Sequence, residues 1–289
     1  MPKRLIIIDS NSVIHRAFHA LPPLTAKTGE LINAVYGFLL VFLKAVKEFQ
    51  PDYIAACFDL PQPTFRHEKY KEYKATRPKT PAELYNQIPI IKEVLGAFGV
   101  QVFEKQGFEA DDLIGTISAL ASKTGAETII LSGDTDNFQL IDSNTKVYNL
   151  RKGVKDTVLY DEKLVEEKYQ GLKPKQLLDF RALRGDPSDN IPGVRGVGEK
   201  TATELLKEFG DLENLYQNLA IIKPKISELL VKYKGQAFLS KELAAIYKSV
   251  PVDFNLEECS FERYNKEKAK EILEKLGFYS LIERLPPFK

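Results

Sequence analysis

Three carboxylates fall within four positions of the stretch GFEADDLIG, residues 107–115. Glu109 lies just ahead of an apolar run, and Asp111 and Asp112 open that run. Two acids in a first helical turn would be stabilised by the helix dipole, so capping is one interpretation of Asp111 and Asp112. Glu109 has the weakest structural explanation of the three, because it precedes the predicted helix. Carboxylates this close together raise one another's pKa values unless a cation binds them.

Further acids could join this cluster when the chain folds. Six of them follow predicted strands or occupy a predicted turn: Asp9, Asp59, Asp134, Asp136, Asp186 and Asp189. The nine carboxylates have no His or Cys among them, and oxygen ligands of this kind favour Mg²⁺ or Mn²⁺ over Zn²⁺. Two such ions about 4 Å apart can generate a hydroxide and stabilise the leaving oxygen in phosphodiester hydrolysis. The cluster therefore predicts metal-dependent phosphate chemistry.

Three short apolar runs lead into three of these acids. They are LIIID ending at Asp9, YIAACFD ending at Asp59 and TIILSGD ending at Asp134. Continuous apolar runs are typical of strands buried on both faces of a parallel sheet, whose ligands bind beyond the carboxyl ends of the strands. For each Asp alone, a bond to its own loop backbone is an equally good interpretation. Taken alone, the stretch RGDPSDNIPG with Asp186 and Asp189 is more typical of a turn.

Helical patterns alternate with these strands at 34–49, 86–99 and 111–125, which predicts an α/β fold with a mostly parallel central sheet flanked by helices. After about residue 170 the strand signals fade. Short helices joined by Gly and Pro turns are predicted there within 174–185, 198–210 and 212–219. A later helix from Lys266 to Leu276 precedes LPPFK, which fits a domain end or the first residues of a linker. We therefore expect a catalytic α/β domain over 1–170, an all-α domain over 171–265 and a C-terminal helical segment, 266–289, that packs back on the first.

A basic segment with interleaved tyrosines follows Asp59. Within residues 63–81 its cations are Arg66, Lys69, Lys71, Lys74, Arg77 and Lys79, and its aromatic residues between them are Tyr70 and Tyr73. Cations that meet phosphates and rings that meet bases suit a single-stranded nucleic acid. The alternative is a solvated loop whose tyrosines only pack.

A glycine-rich turn leads into the predicted helix of 198–210. Gly193, Gly196 and Gly198 would expose backbone N–H groups to an anion there. A phosphate held in this way is bound without regard to base sequence. No strand clearly precedes the turn, which argues against a dinucleotide-binding fold.

Composition and charge exclude few classes of function. Lys plus Arg number 41 against 40 Asp plus Glu, so net charge says nothing about partners. The two cysteines, Cys57 and Cys259, form no CxxC pattern and fit free thiols in a reducing compartment. The N-terminal apolar run is too short for a signal peptide, and the longest one, 34–43, is too short for a membrane span. We expect a soluble intracellular protein.

The order of the motifs resembles the 5′ nuclease domain of bacterial DNA polymerase I, within the flap endonuclease superfamily. The motifs that carry the resemblance are IIIDSNS, GELINAVYGF, CFD, FRHEKYKEYKATR, FEADDLIG, SGDTDNFQL and LRGDPSDNIPGVRGVGEKTA. The resemblance implies a PIN-like or resolvase-like sheet, a helical arch at about 62–88 and a helix-three-turn-helix at about 185–210. It covers the chain from about residue 4 to the C-terminus.

The resemblance also implies site roles. The first metal site and its surroundings match Asp9, Asp59, Glu109, Asp111 and Asp112, and the second matches Asp134, Asp136, Asp186 and Asp189. The residues matched to catalysis are Asp59, Asp134, Lys74 and Arg77, the last two steering the scissile phosphate from the foot of the arch. The expected DNA contacts are Arg66, Tyr70, Tyr73, Lys74, Arg77, Gly193, Gly196, Gly198, Lys200 and Thr201.

The implied reaction is hydrolysis of DNA at 5′ flaps and 5′ ends near a junction of single and double strand, for primer removal and repair. Two Mg²⁺ ions would serve, with Mn²⁺ as a substitute and K⁺ at the helix-three-turn-helix. The expected protein is a bacterial, cytoplasmic, nucleoid-associated monomer whose polymerase is attached or separate, and it has no membrane partner. Thr135 replaces a frequent Lys or Arg of the family, and Asn137 replaces a common Leu, which affects only local phosphate contacts.

Three alternatives compete with this interpretation. A phosphatase of the haloacid dehalogenase type is suggested by Asp134 and Asp136, but its aspartyl nucleophile should follow the first strand, where this chain has DSN. A PIN-type ribonuclease would lack the arch and the glycine-rich turn. A non-catalytic DNA-binding module would not need all nine acids.

Overall fold

The computed structural model describes residues 2–287, and its first layer is one six-stranded sheet. The strands are β1 (Arg4–Asp9), β2 (Tyr53–Cys57), β3 (Gln101–Phe103), β4 (Glu127–Ser132), β5 (Thr145–Lys152) and β6 (Asp156–Tyr160). They lie in the order β3-β2-β1-β4-β5-β6. Every pair is parallel except β5 with β6. The predicted α/β fold with a mostly parallel sheet is confirmed.

The three predicted strands are β1, β2 and β4, and two of them end earlier than expected. β2 ends at Cys57 and β4 at Ser132, so Asp59 and Asp134 lie in the loops that follow. Three strands were missed. β3 has only three residues, and β5 carries Lys146, Arg151 and Lys152, so neither forms a long apolar run.

Helices cover both faces of the sheet and build the second half of the chain. The α-helices are α1 (Ser10–Ala20), α2 (Asn33–Phe49), α3 (Phe65–Lys69), α4 (Ala82–Tyr85), α5 (Ile88–Ala97), α6 (Ala110–Ser122), α7 (Glu162–Lys168), α8 (Leu177–Arg184), α9 (Glu199–Phe209), α10 (Leu212–Gln217), α11 (Pro224–Lys232), α12 (Lys234–Ala244), α13 (Lys266–Lys275) and α14 (Tyr279–Ile282). Short 3₁₀ helices lie at Asp136–Leu140, Pro174–Gln176, Leu219–Ile221, Leu256–Cys259 and Phe261–Arg263. None of the helices within residues 2–287 is both long and apolar enough to cross a membrane.

The alternation of β1 side chains divides the core into two layers. Ile6 and Ile8 point into a cluster formed with α1, α2 and α5, whereas Leu5 and Ile7 point into one formed with α6. The second cluster continues into the helical half of the chain. The side chains of β1 are therefore packed on both faces of the sheet, and this packing holds the residues that follow the strand in place.

The segment 62–88, where an arch is expected, contains the five-residue α3, a run of turns at 71–76 and the four-residue α4. Farther along the chain, α8 packs against α9 and α12. Helix α13 contacts α5 and joins the hydrophobic cluster that contains Ile6 and Ile8. Residues 288 and 289 of the predicted C-terminal segment lie outside the described residues. Cys57 and Cys259 are free thiols, and both are buried.

Candidate metal centre

The crevice of the sheet lies where the strand order changes direction. β1 is flanked by β2 on one side and β4 on the other, and such a switch point opens a ligand site beyond the strand ends. A cavity of about 390 Å³ lies there. Its lining includes the acids Asp9, Asp59, Glu109, Asp111, Asp134, Asp136 and Asp189 and the cations Lys74, Arg77 and Arg16. Seven of the nine predicted carboxylates therefore share one cavity.

Asp9 is held by hydrogen bonds from two serines. Its carboxylate accepts from the Ser12 N–H at 3.2 Å, which caps α1, and from Ser132 Oγ at 2.5 Å. Burial raises its pKa to about 7, with help from Asp134 and Asp59 and against the Ser132 hydrogen bond. Its charged form is therefore disfavoured in the folded protein, and a cation bound beside it would favour that form.

Asn137 joins two of the acids. Its Nδ2 donates to Asp111 Oδ1 at 3.0 Å and lies 3.5 Å from Asp9 Oδ2. Burial and the neighbouring carboxylates, Asp9 first, raise the pKa of Asp111 well above its usual value. Asn137 thus supplies a buried donor that stabilises the paired acids.

Asp136 lies at the far side of the cavity beside Arg181. Burial raises its pKa well above the usual value, although the Arg181 guanidinium opposes the shift. The backbone N–H of Asp136 donates to Asp134 Oδ1 at 2.8 Å. Asp134 and Asp136 are therefore oriented by their own 3₁₀ turn and by a cation from α8.

Asp59 faces the start of α6. Its Oδ1 accepts from the Ala110 N–H at 2.7 Å, and its own N–H donates to Asn11 Oδ1 at 3.2 Å. Desolvation in the cavity raises its pKa, with Glu109 adding to the shift and Lys74 opposing it. Asp59 does not bond its own loop backbone, because its backbone partner is 51 residues away at the start of α6, and its side chain lines the cavity.

Glu109 has more structural partners than the sequence suggested. Its carboxylate accepts from Lys74 Nζ at 2.8 Å and from Tyr73 OH at 3.1 Å, and lies 3.5 Å from the Arg66 guanidinium. Burial opposes ionisation, but Lys74 and Arg66 hold the pKa of Glu109 below its usual value. The expectation that Glu109 has the weakest structural explanation of the three acids is wrong, because Glu109 anchors the segment that carries the basic residues.

Asp112 and Arg66 form a buried ion pair, which contradicts two predicted roles. The Arg66 guanidinium binds both oxygens of Asp112 at 2.7 and 2.8 Å. It also donates to the carbonyls of Leu243 and Ala245, and the side chains of Arg66 and Asp112 are 3% and 0% exposed. Asp112 is therefore not free to bind a metal, and Arg66 cannot reach DNA. The burial of this pair depends on residues distant in sequence, because Leu243 at the end of α12 and Ala245 after it cover the Arg66 guanidinium.

We expect Arg66→Ala to destabilise the protein by about 3–5 kcal/mol, because it leaves the Asp112 carboxylate buried without its partner. Urea unfolding measures this loss. Lys69→Ala is the control, since it removes the exposed Lys69–Glu242 pair, for which about 0–1 kcal/mol is expected. An Arg66→Ala protein of unchanged stability but weakened DNA binding would contradict the buried role.

Tyr73 is also buried, at 3% exposure. Its OH donates to Glu109 and, at 3.2 Å, to Asp189. Tyr70 is half-buried and packs beside Tyr73 in a small cluster with Ile191 and Leu243. The prediction that Tyr73 stacks on bases is wrong, and the packing alternative describes it correctly.

Lys74 and Arg77 do face the cavity. The Lys74 side chain is 22% exposed and its ammonium lies between Glu109 and Asp189, at 2.8 and 3.9 Å. Arg77 is 47% exposed and pairs with Asp189. Both cations are within reach of an anion that enters the cavity.

Asp186 is not brought into this cavity. Its Oδ1 accepts from the Ser188 N–H at 2.9 Å and from Ser188 Oγ at 2.6 Å, as expected of a turn. It lines a second cavity of about 390 Å³ with Arg181, Arg184, Asp134 and Asp136. The turn interpretation of Asp186 is therefore correct in this structure, while Asp189 reaches the first cavity.

Several cavity residues were not predicted. Arg181 on α8 is 6% exposed and its Nη1 has no hydrogen-bond partner among residues 2–287. His15, Arg16 and His19 on α1 line the cavity, and burial lowers the pKa of His15. The helical spacing of His15 and His19 was a usable signal, whereas nothing in the sequence places Arg181 beside Asp136.

The donor set fits a hard divalent cation without forming a closed ligand sphere. Across residues 2–287, no three His, Cys, Asp or Glu side chains already converge on one ion position. Mg²⁺ usually keeps several waters and binds through one or two carboxylates, so it does not need such a sphere. Burial, followed by neighbouring carboxylates, raises the pKa values of Asp9, Asp111 and Asp136, and a bound cation would favour their ionised forms.

The glycine-rich turn divides into a packed part and an exposed part. The Gly193 N–H donates to Ser240 Oγ at 3.0 Å and Gly193 is buried, so the prediction that its amide binds phosphate is wrong. Gly196 and Gly198 are exposed, and Gly198 is the N-cap of α9. Lys200 is exposed and Thr201 is half-buried in the first turn of that helix.

We expect Gly193→Ala to lower the free energy of unfolding by about 2–5 kcal/mol, since it forces a left-handed residue into a close contact. An added Cβ would lie 2.2 Å from the Gly185 nitrogen, at φ +63°. Gly198→Ala is the matched control, because its Cβ would meet no atom within 4 Å at φ −91°. Equal stability of the two variants in thermal unfolding would contradict the packing role of Gly193.

Comparison with known proteins agrees across the chain. Residues 4–170 match the family model of the 5′-3′ exonuclease N-terminal resolvase-like domain, and residues 172–267 match that of the 5′-3′ exonuclease C-terminal SAM fold. DNA polymerase I of Bacillus subtilis is 43% identical over 98% of the chain, and that of Caldicellulosiruptor bescii is 45% identical over 98%. The chain spans about a third of the length of these curated relatives, 32% and 33%.

Solved structures share the fold at low identity. T5 5′-exonuclease with bound zinc superposes with a TM-score of 0.72 at 20% identity, over 95% of this chain and 100% of that one. Flap endonuclease-1 from Methanococcus jannaschii superposes with a TM-score of 0.53 at 19% identity, over 98% of this chain and 93% of that one.

Proposed function

Because the chain belongs to the 5′-3′ exonuclease family, we propose that it is a structure-specific nuclease that hydrolyses DNA phosphodiester bonds at 5′ flaps and 5′ ends. One observation carries the proposal. Acids that need a cation and the cations Lys74 and Arg77 line the same cavity at the switch point of the sheet. A phosphodiester with divalent ions is the ligand that matches both sets of charges.

Two Mg²⁺ ions, for which Mn²⁺ would substitute, are the cofactors we propose. Asp9, Asp111, Asp134 and Asp136 would hold them, with Asp59 and Asp189 at the rim. Bound there, the ions would supply an activated water and neutralise charge on the leaving oxygen. Structures titled as T5 5′-exonuclease with zinc and T5 D15 protein with metal ions lend support, as both share this fold.

The cations of the chain would act on the phosphate itself. Lys74 and Arg77 pair with Glu109 and Asp189 in the absence of substrate, and a phosphate would compete for both. Held at fixed positions, they would stabilise charge that develops on the scissile phosphate. Asn137 would preserve the orientation of Asp9 and Asp111 through the amide that donates to both.

Duplex DNA is the partner we propose for the helical half. The exposed Gly196 and Gly198, with Lys200 and Thr201 in the following turn, would contact the phosphate backbone, with K⁺ as an accompanying ion. Such contacts do not distinguish one base sequence from another, and they weaken as the salt concentration rises. Relatives solved with DNA include T5 D15 flap endonuclease and the catalytic core of Rad2. An affinity for duplex DNA that does not change with salt concentration would contradict this part of the proposal.

We further propose the division into a catalytic domain over 1–170, a DNA-binding domain over 171–265 and a closing helical segment over 266–289. The curated relatives are bacterial DNA polymerases, which supports action beside a polymerase during replication and repair, as a monomer on chromosomal DNA in the cytoplasm. Size-exclusion chromatography with light scattering tests the monomer.

A 5′-labelled flap substrate tests the proposal most directly. We expect release of the flap with Mg²⁺, none with EDTA and none with Asp136→Ala, and the product length gives the polarity and position of cleavage. Asp253→Ala is the matched control, since Asp253 is exposed and lies outside the cavity. Cleavage that persists in EDTA, or in purified Asp136→Ala, would overturn the proposal.

A further inference from the structure

A hairpin of the helical half grips the turn that carries Lys74. The backbones of Asp186 and Ile191 exchange two hydrogen bonds of 2.8 Å, which close the loop between them. We call residues 186–191 the hairpin and residues 72–77 the arch turn. The arch turn has no regular helix or strand of its own, so its shape depends on what it touches.

Main-chain contacts join the two segments. The Lys74 N–H donates to the Asp189 carbonyl at 2.9 Å, Asn190 Nδ2 donates to the Glu72 carbonyl at 2.7 Å, and Arg77 Nε donates to the Ser188 carbonyl at 3.3 Å. The first two bonds hold the backbone of the arch turn, and the third holds the Arg77 side chain. Of the side chains that make them, that of Asn190 lies outside the metal cavity.

Lys74 needs this grip because its backbone is left-handed. Its φ is +56°, in a region that residues with a Cβ seldom occupy. Asn190 is also left-handed, at φ +55°, which Asn tolerates better than most residues. A turn released from the hairpin would relax Lys74 toward negative φ and move its ammonium in the cavity.

The base of the hairpin packs closely against the glycine-rich turn. An added Cβ on Gly185 would lie 2.7 Å from the Ile191 carbonyl oxygen, and one on Gly193 would lie 2.2 Å from the Gly185 nitrogen. Three residues farther on, Gly196 and then Gly198 are exposed. DNA that binds at the exposed glycines would therefore act on the hairpin through these close backbone contacts.

We propose that Asn190 is a positioning residue: through its bond to the Glu72 carbonyl, the hairpin transmits duplex binding at the glycine-rich turn to Lys74. The inference rests on the proposed nuclease function for its kinetic consequence. Duplex contact would tighten the hairpin against the arch turn and hold Lys74 at the scissile phosphate. Cleavage would then depend on a duplex beside the flap.

The kinetic test uses Asn190→Gly, which keeps the positive φ and removes only the amide. We expect kcat on the flap substrate to fall between about 10- and 100-fold, as for a misplaced catalytic group, with the duplex Kd changed less than about twofold. Asn218→Gly is the control, because Asn218 Nδ2 also donates to a backbone carbonyl, that of Asn214 at 2.8 Å, away from the cavity. An unchanged kcat, or equal losses in both variants, would overturn the proposal.

Hydrogen exchange of the arch turn tests the coupling without catalysis. With plain duplex DNA lacking a flap, in EDTA, we expect amide exchange across residues 72–77 to slow in the wild type and to remain unchanged in Asn190→Gly. Amide exchange of the arch turn that does not change when the wild type binds duplex DNA would overturn the proposed coupling. A wild type that shows slowed exchange but cleaves no flap DNA would instead overturn the proposed nuclease function.

Discussion

Replacing Lys74 with alanine is expected to lower kcat on a 5′-flap substrate by about 10²–10³-fold, the usual loss when one preorganised group that stabilises developing charge is removed. The Lys74 side chain is 22% exposed and lines the cavity, where its field on a phosphate is less screened than in bulk water. The duplex contacts proposed for the helical half do not include Lys74. We therefore expect the Kd for duplex DNA to change by less than about threefold.

Single-turnover cleavage and duplex binding measured side by side decide this prediction. Lys71→Ala is the matched control, because Lys71 is an exposed lysine of the same segment outside the cavity. A Lys74→Ala variant that loses affinity and rate in equal measure would make Lys74 a binding residue. Thermal unfolding should accompany both assays, since the loss of Lys74 leaves Glu109 with fewer cations.

Asp111→Asn is expected to abolish cleavage and yet stabilise the metal-free protein, by about 2–4 °C in Tm for each 1 kcal/mol gained. An asparagine keeps an acceptor for Asn137 Nδ2 and removes one charge from the acid cluster. Wild-type protein should gain stability from Mg²⁺, and the variant should gain less. Melting that is unaffected by Mg²⁺ in both proteins would remove the electrostatic account of the cavity.

The pH dependence follows from the same acids. The pKa values of Asp9, Asp111 and Asp136 are raised in the folded state, to about 7 for Asp9. The folded protein therefore binds more protons than the unfolded chain above about pH 4, and its stability falls as pH rises. We expect the metal-free protein to lose stability between about pH 5 and 8, and Asp111→Asn or Mg²⁺ to flatten that profile. A profile that rises over this range would contradict the assigned shifts.

The acids at the strand ends were predictable because a local rule applies to them. A short apolar run followed by Asp puts Asp9, Asp59 and Asp134 at one edge of a parallel sheet, whatever the loops do. The rule does not depend on exact strand ends, so the early ends of β2 and β4 did no harm. Sheet order was not predictable, since β3 and β5 gave no clear pattern.

Partners chosen by distant packing were not predictable. Arg66 looks like any other basic residue of its segment until the chain after α12 returns and buries it on Asp112. Arg181 similarly meets Asp136 only because α8 docks beside the 3₁₀ turn at 136–140. In both cases charge and spacing were visible in the sequence, whereas solvent exposure, which decides the role, was not.

The two buried thiols make this protein convenient for fluorescence work. Burial raises the pKa of the Cys57 thiol, and that of Cys259 rises to about 12, so both are poor nucleophiles toward maleimide dyes at neutral pH. The chain also has no tryptophan. A cysteine pair introduced at exposed sites could carry donor and acceptor dyes on the natural background, and a single introduced tryptophan would emit without interference from another. Movements of the segment around Lys71 relative to α9 can therefore be followed in real time on an otherwise unaltered chain.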